Sequence, residues 1–230
     1  MKWTVSMALG AAFGTAWTNF GAFLIVALVL SLPSVIVDSL AASSVVSTIV
    51  SSLVIAAMTA CGTYGAIRMM AGEKTSAGAM LLRIAQPSFW PLVVLSMIQS
   101  VAIACGLVLL VVPGVILLGM WMIAAPVMVV ERLGIVDSLQ RSAELTKGSR
   151  FTGISTFVAA ILLSLVVLVA GLAVIYVGLE LDKPLLLVAM VEWLLGAVYM
   201  ALLAPLQATI YVLQRQEKEA ITVADMARQL

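Results

Sequence analysis

Six long apolar runs dominate this sequence, at about 20–37, 45–69, 90–111, 114–130, 152–178 and 185–213. A helix needs roughly 20 apolar residues to cross a bilayer, and each run is close to that length. Together they take up more than half of the 230 residues and leave only short connections. Composition agrees: 63% of residues are hydrophobic, 10% are charged and the mean hydropathy is +1.21. A soluble domain carries about 25% charged residues, so this chain lacks the polar surface to cover a globule. The expected fold is all-α: a single membrane domain over 1–230, a polytopic bundle of six transmembrane helices arranged as three hairpins.

Orientation follows from the basic residues, which are retained on the cytoplasmic side of span ends. Lys2 precedes the first run; Arg68, Lys74 and Arg83 lie between the second and third; Arg132, Arg141, Lys147 and Arg150 lie between the fourth and fifth. Arg215, Lys218 and Arg228 follow the sixth, and Lys183 alone falls on the opposite side. Eleven of the twelve therefore occupy alternate connections, which predicts cytoplasmic N- and C-termini. Lys2 before an apolar run, with Ser39-Leu40-Ala41 behind it, has a faint likeness to a signal peptide. The run is too long and is interrupted by Thr15, Thr18 and Asn19, so a short helix and a retained span are expected instead.

Each expected hairpin is preceded by a cytoplasmic stretch of helical periodicity, at about 4–18, 75–86 and 136–147. Val5, Leu9, Phe13 and Trp17 form an apolar stripe in the first; Ala77, Met80, Leu81 and Ile84 share a face in the second. In the third, Ile135, Val136, Leu139 and Ala143 oppose Asp137, Gln140, Arg141, Glu144 and Lys147. Asp137 and Gln140 have the spacing of a capping box, and Gly148 is a suitable stop. An aromatic follows each stretch where the chain enters the membrane: Phe20, Phe89-Trp90 and Phe151. These stretches are expected to lie in the interface with their apolar sides down; ordinary loop helices packed on the bundle are the alternative.

Within the runs, Pro113-Gly114 is expected to make the turn between the third and fourth spans. Pro126 and Pro205 should kink the fourth and sixth. Ala57, Cys61 and Gly65, with Gly62 and Ala66, give the second span a small-residue face suited to close helix approach, within the bundle or between subunits. Cys61 and Cys105 read as small buried packing residues.

Candidate polar residues are few. Glu192 lies about seven residues into the sixth run, beside Trp193. A carboxylate at the bilayer centre would cost about 3 kcal/mol, so Glu192 is either in an outer aromatic belt or a protonatable group facing a polar cavity. Gln99 and Gln207 need partners in hydrocarbon and read as interhelical glue. Glu131 and Arg132 end the fourth run among solvated charges. With no histidine, no nucleotide-binding glycine loop and no metal-ligand spacing, the sequence predicts no catalysis, cofactor or metal, and the near-neutral charge of +1 predicts no nucleic-acid partner.

The segment from Pro113 to Phe151 carries a pattern: Pro113-Gly114, Trp121, Pro126, Glu131, Gly134, Leu139, Arg141-Ser142, Leu145, Gly148 and Arg150. It resembles the membrane domain fused to some bacterial glycerophosphodiester phosphodiesterases, and related stand-alone inner-membrane proteins. The resemblance implies a bacterial inner-membrane location. The catalytic barrel of the fused proteins has no counterpart here, so their activity is not implied. Glu131 and Arg141 are expected to pair between the fourth span and the helix after it. The expected function is a non-catalytic membrane module associated with lipids, a membrane-protein partner or a second copy. The alternative is a transporter or lipid translocase for a hydrophobic or amphipathic substrate.

Overall fold

The computed structural model describes residues 3–39, 44–180 and 185–230. Some side chains in the long helices near the C-terminal half, Glu192 among them, lie outside the described residues, as does the basic residue Lys183. The described chain is all helical. In order come α1 (Val5–Thr18), α2 (Phe20–Ser39), α3 (Ser44–Met70), α4 (Ala77–Leu81), a 3-10 turn (Leu82–Ala85) and α5 (Phe89–Leu109). There follow α6 (Val111–Trp121), α7 (Ala124–Glu131), α8 (Ile135–Thr146), α9 (Arg150–Glu180), α10 (Leu185–Leu203), α11 (Leu206–Glu219) and α12 (Val223–Gln229).

Among the described residues, five segments are long and apolar enough to cross a membrane: Phe20–Val37, Val45–Met70, Phe89–Leu109, Val111–Glu131 and Trp193–Glu219. The remaining expected run falls on α9, a continuous helix of 31 residues. Its described apolar side chains, from Leu162 and Val166 to Leu172 and Val177, are exposed. That pattern suits hydrocarbon surroundings and would be costly in water.

α3 is the central helix. It packs against α2, α5, α7 and α11, and residues 60–67 are all buried. Small residues make this possible. A Cβ on Gly62 would stand 2.8 Å from the carbonyl oxygen of Ala204, where α10 ends. A Cβ on Gly65 would meet the terminal methyl of Met80. The small-residue face thus serves packing within the bundle. Gly62→Ala is expected to lower stability by about 1–3 kcal/mol, because a backbone carbonyl cannot move aside. Gly65→Ala should cost clearly less, since Met80 can turn its flexible end away. Thermal unfolding of the two variants in detergent would check the order; equal losses would contradict it.

The turn between α5 and α6 differs from expectation. Leu110 is the linking residue, in extended conformation (φ −156°, ψ 123°), and Pro113 sits in the first turn of α6. There its missing N–H leaves no bond unmade. Gly114 is buried against α5: a Cβ on it would lie 2.5 Å from the backbone nitrogen of Leu107, and one on Gly106 would lie 2.9 Å from Gly114 Cα. Gly114 therefore lets two backbones touch; it does not make the reversal. Cys61 is buried, with Sγ donating to the carbonyl of Met80 at 3.1 Å, but Cys105 is exposed on α5, contrary to the expectation that both are buried.

The three helices expected in the interface plane pack on the bundle. α1 buries Ala8, Ala12 and Ala16 and touches α3, α9, α10 and α11, while Trp17 is exposed. The buried stripe is thus one position from the expected bulky one, because alanines allow the closer approach. α4 buries Met80. α8 buries Ser138, Ser142, Leu145 and Thr146, and its apolar Val136 is exposed. Its N-cap is Gly134 with no side-chain cap, so Asp137 falls in the first turn and the capping box is not formed. Gly148 does stop the helix, with φ +91°. Trp90 and Phe151, both exposed, stand where the chain passes into α5 and α9, as interfacial anchors do.

Candidate functional site

Both expected prolines coincide with helix breaks. The fourth run divides at Met122–Ile123, between α6 and α7, with Pro126 in the first turn of α7. The sixth divides at Ala204–Pro205, between α10 and α11. A break frees carbonyls in the last turn before it, and in a membrane these need other donors. Two helices supply them to α6. Gln99 of α5 donates Nε2 to the carbonyl of Trp121 at 2.7 Å, and Ser142 of α8 donates its hydroxyl to that of Met120 at 2.8 Å. This explains why α8 buries its hydroxyl face and leaves Val136 outside.

The breaks border a groove. One cavity, of about 250 Å³, lies between α3, α9, α10 and α11, with Met58, Phe157, Tyr199, Leu203 and Ala204 among its walls. A second, of about 390 Å³, lies between α3, α5, α6 and α9, with Ser100, Leu107, Trp121 and Met122 among its walls. Ile55, Thr59, Phe157 and Gln207 line both, so the two are continuous. The walls are mainly apolar, with a few polar groups. Thr59, Ser96 and Ser100 donate to carbonyls one turn back in their own helices. Gln207 differs: it finds no hydrogen-bond partner among the described residues. Of the two glutamines expected to act as interhelical glue, Gln99 makes a hydrogen bond between helices, and none is described for Gln207.

At one end of the bundle, four charges from three helices close a ring. Arg141 Nε donates to Glu131 Oε2 at 3.0 Å, and Arg141 Nη2 donates to Glu219 Oε1. Arg215 Nε donates to Glu219 Oε2 at 2.8 Å, and its Nη1 stands 3.7 Å from Glu131 Oε1. Tyr211 sits inside this ring. Its hydroxyl donates to Glu131 at 3.1 Å and accepts from Arg215 Nη1 at 2.9 Å. The Arg215 side chain is 7% exposed and that of Glu131 14%, so Glu131 is not the solvated end residue expected. Burial opposes the charge on Arg141, but hydrogen bonds and attraction from Glu219 and Glu131 outweigh it and raise its pKa above the ordinary value. Lys218 extends the network, donating Nζ to the carbonyls of Glu144 and Lys147 at 2.7 Å each. A cation there satisfies the free carbonyls at the end of α8.

The chain matches no family model, no curated protein and no solved structure.

The structure brings Glu131 and Arg141 together and places Gln99 and Gln207 on one groove. Glu192 belongs to α10, next to Trp193, whose Nε1 donates to Ser31 Oγ of α2 at 2.8 Å. The side chain of Glu192 lies outside the described residues. Tyr211 and Arg215 were not legible as partners of Glu131, nor Glu219 as a partner of Arg141. The spacing of Arg215 and Glu219, four residues apart on a helix, was the available signal.

Proposed function

We propose that this chain is a non-catalytic membrane protein of six spans, with cytoplasmic termini in a bacterial inner membrane, that holds a lipid-like molecule in the groove between α3, α5 and α9–α11. The observation that carries this reading is Gln207: an amide with no hydrogen-bond partner among the described residues, in a mainly apolar groove. An amide left unpaired in hydrocarbon is costly, and a ligand with an apolar body and a few hydrogen-bonding groups would remove that cost. Ligand sites commonly combine apolar walls with a small number of polar groups in this way. The alternate placement of basic residues supports the orientation, and the exposed apolar side chains of α9 support its role as the remaining span. The resemblance of Pro113–Phe151 to a bacterial membrane-domain family supports the location.

The two glutamines separate binding from folding. Gln99→Leu leaves the Trp121 carbonyl without its donor and is expected to cost about 1 kcal/mol of stability. Gln207→Leu breaks no hydrogen bond among the described residues, so stability should be unchanged while ligand retention falls. The test is extraction into native lipid discs, followed by mass spectrometry of the retained molecules and thermal unfolding of each variant. If Gln207→Leu retained the same molecules in the same amounts, the groove reading would be wrong.

One observation favours a second reading, a transporter of an amphipathic substrate: both helix breaks border the groove, and carriers are commonly built from broken helices around a central site. Recovery of a small polar metabolite from the discs, lost on Glu192→Gln, would favour it over the non-catalytic binding module.

A further inference from the structure

The connection between α5 and α6 is unlike the other two expected on the outer side. Those carry Asp38, Ser39 and Ser43, and Glu180, Asp182 and Lys183, as turns facing water do. From Val101 to Val130 no side chain is charged, and Trp121 alone has a hydrogen-bonding nitrogen or oxygen. Yet the residues from Val108 to Val112 are between 66% and 86% exposed. In water such a patch of valine and leucine would be costly.

The hairpin is also short. Two contacts fix the level of α6 against α9: a Cβ on Gly119 would stand 2.8 Å from Ile154 Cδ1, and one on Gly153 would meet the terminal methyl of Met122. At roughly 1.5 Å per residue, α6 rises about 14 Å from that level to Leu110, and α9 about 39 Å to Glu180. Even if the two helices crossed at about 50°, α9 would gain about 25 Å along the direction of α6. The tip at Leu110 therefore stops about 10 Å or more below the outer end of α9. α5 leads to the same depth. From the anchor Trp90, at headgroup level, an upright helix rises about 30 Å to Leu110. The two aqueous faces of a bilayer are about 40–45 Å apart.

The reversal suits such a place. Backbone groups in hydrocarbon need partners within the protein, and the first four N–H groups of a helix have none in the helix itself. In α6 the N–H of the N-cap Leu110 is bonded to the Gly106 carbonyl at 3.1 Å, and Pro113 has no N–H to satisfy. A single linking residue, allowed by the close contact of Gly106 with Gly114, takes the place of a polar loop.

We infer that the α5–α6 hairpin ends inside the outer leaflet, with Val108–Val112 covered by lipid acyl chains. Both ends of the hairpin stay on the cytoplasmic side, so the direction of every other segment is unchanged. The immersion does not rest on Gln207 or on any molecule in the groove. Only the choice of leaflet rests on the orientation proposed above.

The test places one nitroxide label at a time on the full chain, through Val108→Cys or Leu110→Cys. Asp182→Cys is the reference in a polar connection. Each is made with Cys105→Ala, since Cys105 is exposed, while Cys61 is buried and stays. The side chains of Val108 and Leu110 are exposed, so both variants should keep the parent's thermal midpoint. In lipid vesicles, relaxation of each label is measured with oxygen, which concentrates in hydrocarbon, and with a neutral nickel chelate, which stays in water. The expected result is that oxygen outweighs nickel at 108 and 110, and that the order reverses at 182. Nickel access at 110 equal to that at 182 would place the tip in water and overturn the inference. Little access to either reagent would show that protein covers the tip, which would overturn it as well.

Discussion

Arg215→Met is expected to destabilise the protein by about 3 kcal/mol, the low end of the range for breaking a buried ion pair. Methionine keeps much of the volume and removes the charge. Glu131 and Glu219 would then share Arg141 alone, and Tyr211 would lose the donor to its hydroxyl. The value sits at the low end because the Arg141 and Glu219 side chains are 27% and 23% exposed, so water screens part of the loss. Adding Glu219→Met to the first change should recover most of the stability. It leaves one balanced pair, Glu131 with Arg141, and apolar replacement of a buried pair is often neutral. Thermal unfolding of the single and double variants in detergent decides this. A double variant no better than Arg215→Met would show that the ring is not the unit. The ring also explains why exchanging the charges of Glu131 and Arg141 should fail to restore stability. The exchange places a cation at 131 beside Arg215, 3.7 Å away across the ring.

Gly114→Ala is expected to cost about 2–3 kcal/mol, the upper part of the range for overpacking a filled interior. The added carbon would lie 2.5 Å from the Leu107 nitrogen and 2.6 Å from Leu107 Cγ. Neither α5 nor α6 can yield without parting the two helices. Gly171→Ala serves as the control, because a Cβ there meets nothing within 4 Å, and it should be neutral or slightly stabilising. If both changes gave the same thermal midpoint, the close approach of α5 and α6 at Gly106 and Gly114 would be wrong. The same contact underlies the groove, since Leu107 is one of its walls.

The parts of the candidate site that were legible in sequence are those with a local cause. Pro126 and Pro205 each lack the N–H that would continue a helix, and each lies at or just after a break. Glu131 and Arg141 are ten residues apart across a helix end, close enough for sequence to suggest the pair. What could not be read was where the freed carbonyls of α6 would find donors. Ser142 has no special spacing to Met120 in the chain; it matters because α8 folds back over the break. A hydroxyl face is therefore buried and Val136 left outside, although Ile135 and Leu139 of the expected apolar face do pack partly against the core. Hydrophobic periodicity assumes that the surroundings are water on one side and core on the other. That assumption fails where hydrocarbon and unsatisfied backbone are the neighbours. α1 shows the same limit, since its alanines approach the bundle and its bulkier residues flank them.

By itself the sequence determined that the chain is helical and made of segments long and oily enough for a bilayer. Backbone groups in hydrocarbon must be satisfied within their own helix, and a run of apolar residues carries that requirement locally. Only the tertiary structure decided which polar groups meet: Glu131 with Arg141, Arg215 and Tyr211, Glu219 with Arg141 and Arg215, and Gln207 with no hydrogen-bond partner among the described residues. Those pairings join positions up to 84 residues apart, and the distance between such residues is set by how helices pack, which no local pattern encodes.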